Sequence, residues 1–213
     1  SPGPNDIPTE AFKNFELTTF NLFYSILVKY WTDPEYVTEE WGILGLSILP
    51  KKGDLSNPNQ WRGIALGDIA AKAMSSIIAT RLTKHLSEFG MDEQSGSSFG
   101  KGCTDATFSL KLALQTLREH NQESYVLFVD LVKAYDSVNR ELLWILLETK
   151  FGVPKEMIIV LKKLHTNVQY QMKVGKEKTM VGSTCGVKQG DNLGPILFIY
   201  LIQAVAVSLG KKW

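Results

Sequence analysis

Cysteine is scarce in this chain: Cys103 and Cys185 are the only two in 213 residues, and they lie far apart. They form no metal-ligand pattern and no disulfide framework, so the natural setting is a reducing, intracellular one. No apolar run is expected to approach the roughly 18 residues of a membrane span, so no transmembrane helix and no membrane partner is expected. Charge of one sign is also missing. Lys and Arg number 23 against 22 Asp and Glu, a net of +1, and nothing in that total announces a nucleic-acid binder. A basic groove offset by acidic residues elsewhere stays compatible with it. The start, Ser1-Pro2-Gly3-Pro4, has no initiating Met and no signal-peptide pattern. Gly210-Lys211-Lys212-Trp213 follows directly on an apolar stretch. Both ends read as cuts through a longer polypeptide. No internal repeat occurs, and no two aspartates are adjacent anywhere.

What is present suffices for a packed core: 44% of the residues are hydrophobic. Phe12, Phe15, Leu22, Phe23, Ile26, Leu27 and Tyr30 recur at helical spacing, predicting a helix over 9–31 with Thr9 as its N-cap. Trp41 to Pro50 is apolar and β-branched and predicts a strand. Residues 51–60 are dense in turn formers and predict an exposed loop. Asp68 caps a helix running to Phe89, which Gly90 stops, and Glu93 to Gly102 is irregular. Helices are predicted over 104–120 and 140–150, and another is opened by Pro154. Between the first two of these lies a buried strand, Ser124 to Leu131. A hairpin around Gly175 and a final apolar helix, Leu193 to Leu209, complete the chain. Segregated helices with a few strands indicate α+β, with helices packed on a small antiparallel sheet.

The chemistry concentrates in Tyr125 to Val138, YVLFVDLVKAYDSV. Asp130 follows an apolar strand directly, a costly place for a charge unless it ends the strand facing a cation. Taken alone, Asp130 and Asp136 could simply end a strand and cap the next helix. Other stretches weigh against so plain a reading. ILPKKGD is followed by WRGIAL and a helix ending in ATRL; EQSGSSFGKGCTDATFSLK comes next; GVKQGDNLGPILF brackets Gln189 with glycines.

In that order, and with the opening GPNDIPTEAFK, these motifs resemble the reverse-transcriptase domain of non-LTR (LINE-type) retrotransposons, with group II intron enzymes more distant. The likeness runs from about Gly3 to about Leu201. It implies the fingers and an incomplete palm of a right-hand polymerase: a fingers-like region with the start of the palm over 1–122, and palm over 123–213. It implies RNA-directed DNA polymerisation with two Mg²⁺ ions. Asp130 takes the place of the first catalytic and metal-binding aspartate, with the Leu131 backbone carbonyl as a further ligand. Both are hard oxygens of the kind Mg²⁺ prefers. Tyr135 matches the aromatic gate that blocks a 2′-hydroxyl. Arg62 matches the fingers arginine on the triphosphate, for which a guanidinium fork is suited, and Lys51 or Lys52 adds a point charge. Gln189 and Gly190 match the loop lying against the nascent base pair and template. Asp136 reads as structural, bracing the turn before Asn139.

The implied partners are an RNA template, a DNA primer, dNTPs and the remaining domains of a parent polyprotein, which the resemblance places in the nucleus. Two departures stand out. Asp191, Asn192 and Gly194 replace the usual residues after the QG pair, and Asp191 adds negative charge unless Lys188 offsets it. GKGCT at Gly100 to Thr104 has Lys101 in place of the family's arginines. Seven lysines between Glu148 and Lys178, against three glutamates, fit either a phosphate-tracking surface or a solvated helix face. The family's aromatic-x-Asp-Asp motif is absent. The expectation is therefore a polymerase whose second carboxylate motif lies outside these residues, with exposed apolar surface where its hairpin would pair and no activity in the fragment alone. The alternative is a non-catalytic nucleic-acid-binding module derived from a retroelement.

Overall fold

The computed structural model describes residues 3–88, 90–91, 93–96, 100–175 and 177–210. Phe89, Asp92 and Lys176, Ser97 to Phe99 of the irregular stretch, and the extreme ends fall outside them. Strand β1 (Ile43–Pro50) turns through the exposed loop into β2 (Trp61–Leu66), antiparallel with Leu49 opposite Arg62. The hairpin β3 (Gln169–Val174) and β4 (Glu177–Gly182) joins on the other side of β1, giving the order β2-β1-β3-β4. The β1–β3 pairing is parallel. The sheet is thus mixed, not antiparallel as expected, because more than a hundred residues separate the two strands and bring the chain back in the same direction.

The predicted N-terminal helix is two helices, α1 (Thr9–Lys13) and α2 (Leu17–Thr32), separated at Asn14 to Glu16. Pro8, not Thr9, holds the cap position. Phe12, Phe15 and Phe23 instead pack on one another across that bend, at 4.9 to 6.0 Å between ring centroids. Helix α3 (Ile69–Leu86) starts after Asp68 as predicted, but the buried Asp68 carboxylate does not cap it. It accepts from the Asn5 amide at 3.3 Å, tying the N-terminal residues to the head of α3.

The core forms where α7 (Leu193–Gly210) packs on α3 and on α5 (Arg140–Thr149), with α6 (Lys155–His165) beneath. Helix α6 turns Met157, Ile158, Leu161 and Leu164 inward, a strongly amphipathic pattern. Asn139 caps α5, accepting from the Leu142 amide at 3.0 Å; the cap is therefore not Asp136. Tyr200 of α7 donates to the Leu82 carbonyl at 3.0 Å and faces His85 at 2.9 Å, which satisfies its hydroxyl inside the core. Helix α7 has 18 residues without an acidic or basic side chain, long and apolar enough to cross a membrane by length and composition, and 44% of it is buried. The expectation that no apolar run approaches this length is corrected: Gln203 and Ser208 are polar but uncharged and do not end the run. Its contacts with α3 and α5 make it the central helix of the core.

One region differs. Helix α4 (Cys103–Glu119) buries no residue. After it, residues 122–131 form no strand. Tyr125, Leu127, Phe128 and Val129 are 91%, 86%, 81% and 74% exposed. The predicted buried strand is overturned. A strand interior needs backbone partners on at least one side, and among the described residues none pairs with residues 124–131. The apolar surface expected here is present, as an unpaired segment rather than a sheet edge.

Candidate active site

The site is built around the loop between β4 and α7. Ala65 of β2 donates its amide to the Gln189 carbonyl at 2.7 Å. Gly190 adopts φ +109°, a conformation that L side chains rarely take, and a Cβ there would stand 2.7 Å from the Ala65 carbonyl and 2.8 Å from Ile64 Cγ2. Ile64 shares a strand face with Arg62. The structure thus brings Gln189 and Gly190 onto the strand that carries Arg62, which is itself exposed. Lys51 lies at the turn end of the same hairpin, two residues past Leu49, the cross-strand partner of Arg62. Its amide donates to Gln60 at 2.7 Å and its ammonium to the Asn59 carbonyl at 3.3 Å.

The same loop grips the turn carrying Tyr135. Val187 donates to the Tyr135 carbonyl and Gly186 to the Val138 carbonyl, each at 2.8 Å. Gly186, at φ +81°, presses so closely that a Cβ would be 2.9 Å from Asp136 Cα. Cys185 Sγ donates to the Asp136 carbonyl at 3.4 Å. The half-buried Tyr135 ring stacks on Phe198 of α7, centroids 5.1 Å apart at 23°. Tyr135, Gln189 and Gly190 therefore belong to one interlocked unit with β2 and the head of α7.

Three groups inside that unit were not singled out as site residues. Arg140 donates to the carbonyls of Ser183, Cys185 and Gly186 and to that of His165. Lys188 is buried at 2% exposure, and burial pulls its ammonium down to about 8, Asp191 opposing the shift. Asp191 accepts from Ser75 of α3 at 3.1 Å and from the Leu193 amide at 3.5 Å. Its charge is engaged at the start of α7 and sits near Lys188, so the departure from the family pattern has a structural use. A cavity of about 10 Å³, room for one water, lies between Ser75, Lys188, Gly190 and Asp191. The sequence signal for Asp191 is its place two residues before the first residue of α7, where a carboxylate finds free amides. No periodicity marks Arg140.

Asp130 and Leu131 are elsewhere. Both lie in the exposed segment before the Tyr135 turn, so the Asp130 carboxylate is solvated, not desolvated at a strand end. A carboxylate and a carbonyl supply hard oxygens, but one carboxylate does not make a two-ion site, and among the described residues no group of three or more His, Cys, Asp or Glu could hold a metal ion. The donor set within these residues does not fit a complete pair of Mg²⁺ ions. In the lysine-rich stretch, Lys150 donates to Ala204 and Ser208 of α7 and Lys163 to the Tyr30 and Asp33 carbonyls, so these two hold the fold together.

Residues 49–213 match the family model described as reverse transcriptase (RNA-dependent DNA polymerase), well over half of the chain. The chain is 26% identical over 82% of its length to the Retrovirus-related Pol polyprotein from type-1 retrotransposable element R2 of Popillia japonica. It is 25% identical over 95% of its length to the protein of the same name from Nasonia vitripennis. It is 27% identical over its full length to the Transposon TX1 uncharacterized 149 kDa protein of Xenopus laevis. It spans 24%, 19% and 16% of these relatives respectively. The chain belongs to the reverse transcriptase family, and its likeness within that family is to the non-LTR, LINE-type domain.

Proposed function

We propose that this chain is the fingers and part of the palm of an RNA-directed DNA polymerase from a non-LTR retroelement, with the boundary near residue 122. Its substrates are dNTPs on a DNA primer and an RNA template, and it works with the other domains of its polyprotein in the nucleus. The observation that carries this reading is the seating of Gln189 and Gly190 on Ile64 and Ala65 of β2, the strand that also carries Arg62. A loop that tight leaves a backbone surface, not side chains, for a base pair to lie against. Arg62 extends from the exposed part of β2, where its fork suits a triphosphate, and Lys51 adds charge at the hairpin end. Tyr135, fixed by Phe198, is the sugar gate. Asp130 and the Leu131 carbonyl would form one side of the metal site, which further carboxylates outside these residues complete; divalent metal there supplies the Lewis acidity for nucleotidyl transfer.

Primer extension tests this directly. The 213-residue chain with Mg²⁺ is expected to give no template-dependent product, and extension by it would overturn the reading. In the full-length polymerase, Asp130→Asn should abolish extension while duplex binding and thermal unfolding stay as in the parent, because the Asp130 side chain is exposed. Retained extension would remove Asp130 from the site.

A further inference from the structure

We propose that Arg140 is a positioning residue for nucleotide selection, setting the separation between Tyr135 and the Gln189–Gly190 arm; this rests on the roles proposed above for those three residues. Arg140 is the first residue of α5, and its guanidinium makes five hydrogen bonds. Nε donates to Gly186 O at 2.7 Å, Nη1 to His165 O and Ser183 O at 3.0 Å each, and Nη2 to Ser183 Oγ at 2.9 Å and Cys185 O at 3.1 Å. Three carbonyls of one four-residue loop, 183, 185 and 186, converge on a single cation. Only arginine carries five donors in a rigid fork.

Among the described residues no carboxylate forms an ion pair with this group. Burial pulls the guanidinium below its ordinary value, Tyr170 and Cys185 oppose that shift, and the charge is met by carbonyl dipoles. Desolvating this cation costs free energy that its charge-assisted hydrogen bonds offset. All of them but the one to His165 go to the loop that carries Gly186. Gly186, held by Nε, is the residue pressed against Asp136 and bonded to Val138, and Val187 next to it is bonded to Tyr135. Three residues beyond Gly186, Gln189 is bonded to Ala65. Arg140 therefore sits at the pivot from which one arm reaches the Tyr135 turn and the other reaches β2. A displacement at Gly186 moves both walls of the proposed nucleotide site relative to each other. A misplacement of about 1 Å at a reacting site costs on the order of a hundredfold in rate.

The test is single-nucleotide incorporation by the full-length polymerase, measuring KM and kcat for a dNTP and for the matching rNTP. Arg140→Lys keeps the charge and loses the fork. It is expected to raise the dNTP KM on the order of tenfold and to narrow the dNTP-to-rNTP preference, with primer–template affinity unchanged. If it lowers only the unfolding temperature and leaves KM and sugar preference as in the parent, Arg140 is structural and the proposal fails. Should Arg140→Lys not fold, Ser183→Ala removes the Oγ that accepts from Nη2 at 2.9 Å and itself donates to the Cys185 carbonyl at 3.0 Å, and is expected to shift KM about two- to threefold in the same direction; no shift overturns the proposal. Tyr135→Ala run in parallel separates the two claims. Unchanged sugar preference there sinks the gate, and the Arg140 proposal is then decided on the dNTP KM alone.

Discussion

One fourteen-residue motif, Tyr125 to Val138, divides into two halves that behave oppositely. Its second half, from Tyr135 on, is clamped by backbone bonds from Gly186 and Val187 and by the Phe198 ring. Its first half, with the proposed catalytic aspartate, stands in solvent with Leu127 at 86% and Phe128 at 81% exposure. The difference does not follow hydrophobicity, which is greater in the exposed half. It follows partners. Residues 135–138 find theirs in a loop that the chain itself supplies, whereas 124–131 need strands that the described residues do not provide. Apolar character drives burial only where something is present to be buried against.

The strongest break is Gly190→Ala, in the loop that clamps residues 135–138, where it seats on β2. The added Cβ would overlap backbone and side-chain atoms of β2 at 2.7 to 2.8 Å, and φ +109° is strained for any side chain. Strain of this class costs about 1–3 kcal/mol, and the overlap adds to it. Urea or thermal unfolding should show a loss of at least that size. A change below about 0.5 kcal/mol, the ordinary surface value, would mean that the loop is not seated on β2.

Next in size is a pH effect from beneath the loop. His165 is buried, its Nδ1 faces the Leu161 carbonyl at 2.8 Å, and its Nε2 has no hydrogen-bond partner among the described residues. Burial, with Lys188 and Arg140 nearby, pulls it from 6.5 to about 3. The unfolded chain takes up this proton as pH falls through 6.5 and the folded chain does not. The contribution is therefore complete above pH 6.5 and is lost progressively from there down to about pH 3, by a few kcal/mol in all. Lys188 acts at the other end: its fold prefers the neutral amine, so stability rises between about pH 8 and 10.5. His165→Phe should flatten the acid limb of a stability–pH curve. An unchanged limb would place the ring in contact with water.

The same contrast marks what the sequence could tell. Several helix and strand positions were legible because period and punctuation are local: Asp68 before α3, Pro154 before α6 and Gly175 between β3 and β4 all fall where expected. The reverse-transcriptase likeness was legible because Asp130, Tyr135, Gln189 and Gly190 occur in a fixed order. The parallel β1–β3 pairing was not, since register between distant strands leaves no local trace. Nor was Arg140, whose five bonds reach 25 to 46 residues away. The exposed state of Val126 to Leu131 was also hidden, because an apolar run signals a strand without saying whether its partners lie within the chain.

The smallest effect belongs to the exposed half, and its smallness is the point. Phe128→Ser removes a large apolar ring that touches little, so unfolding free energy should move by no more than about 0.5 kcal/mol. Association is where the change should register. An unpaired apolar segment invites other chains, so sedimentation or light scattering of the 213-residue chain should show less self-association in this variant than in the parent. In the full-length polymerase the comparison inverts. If further strands cover this segment there, Phe128→Ser becomes a core truncation, costing about 3–5 kcal/mol. An equal effect in both settings would show that Phe128 stays exposed, and that the Asp130 half of the motif is never drawn into a sheet.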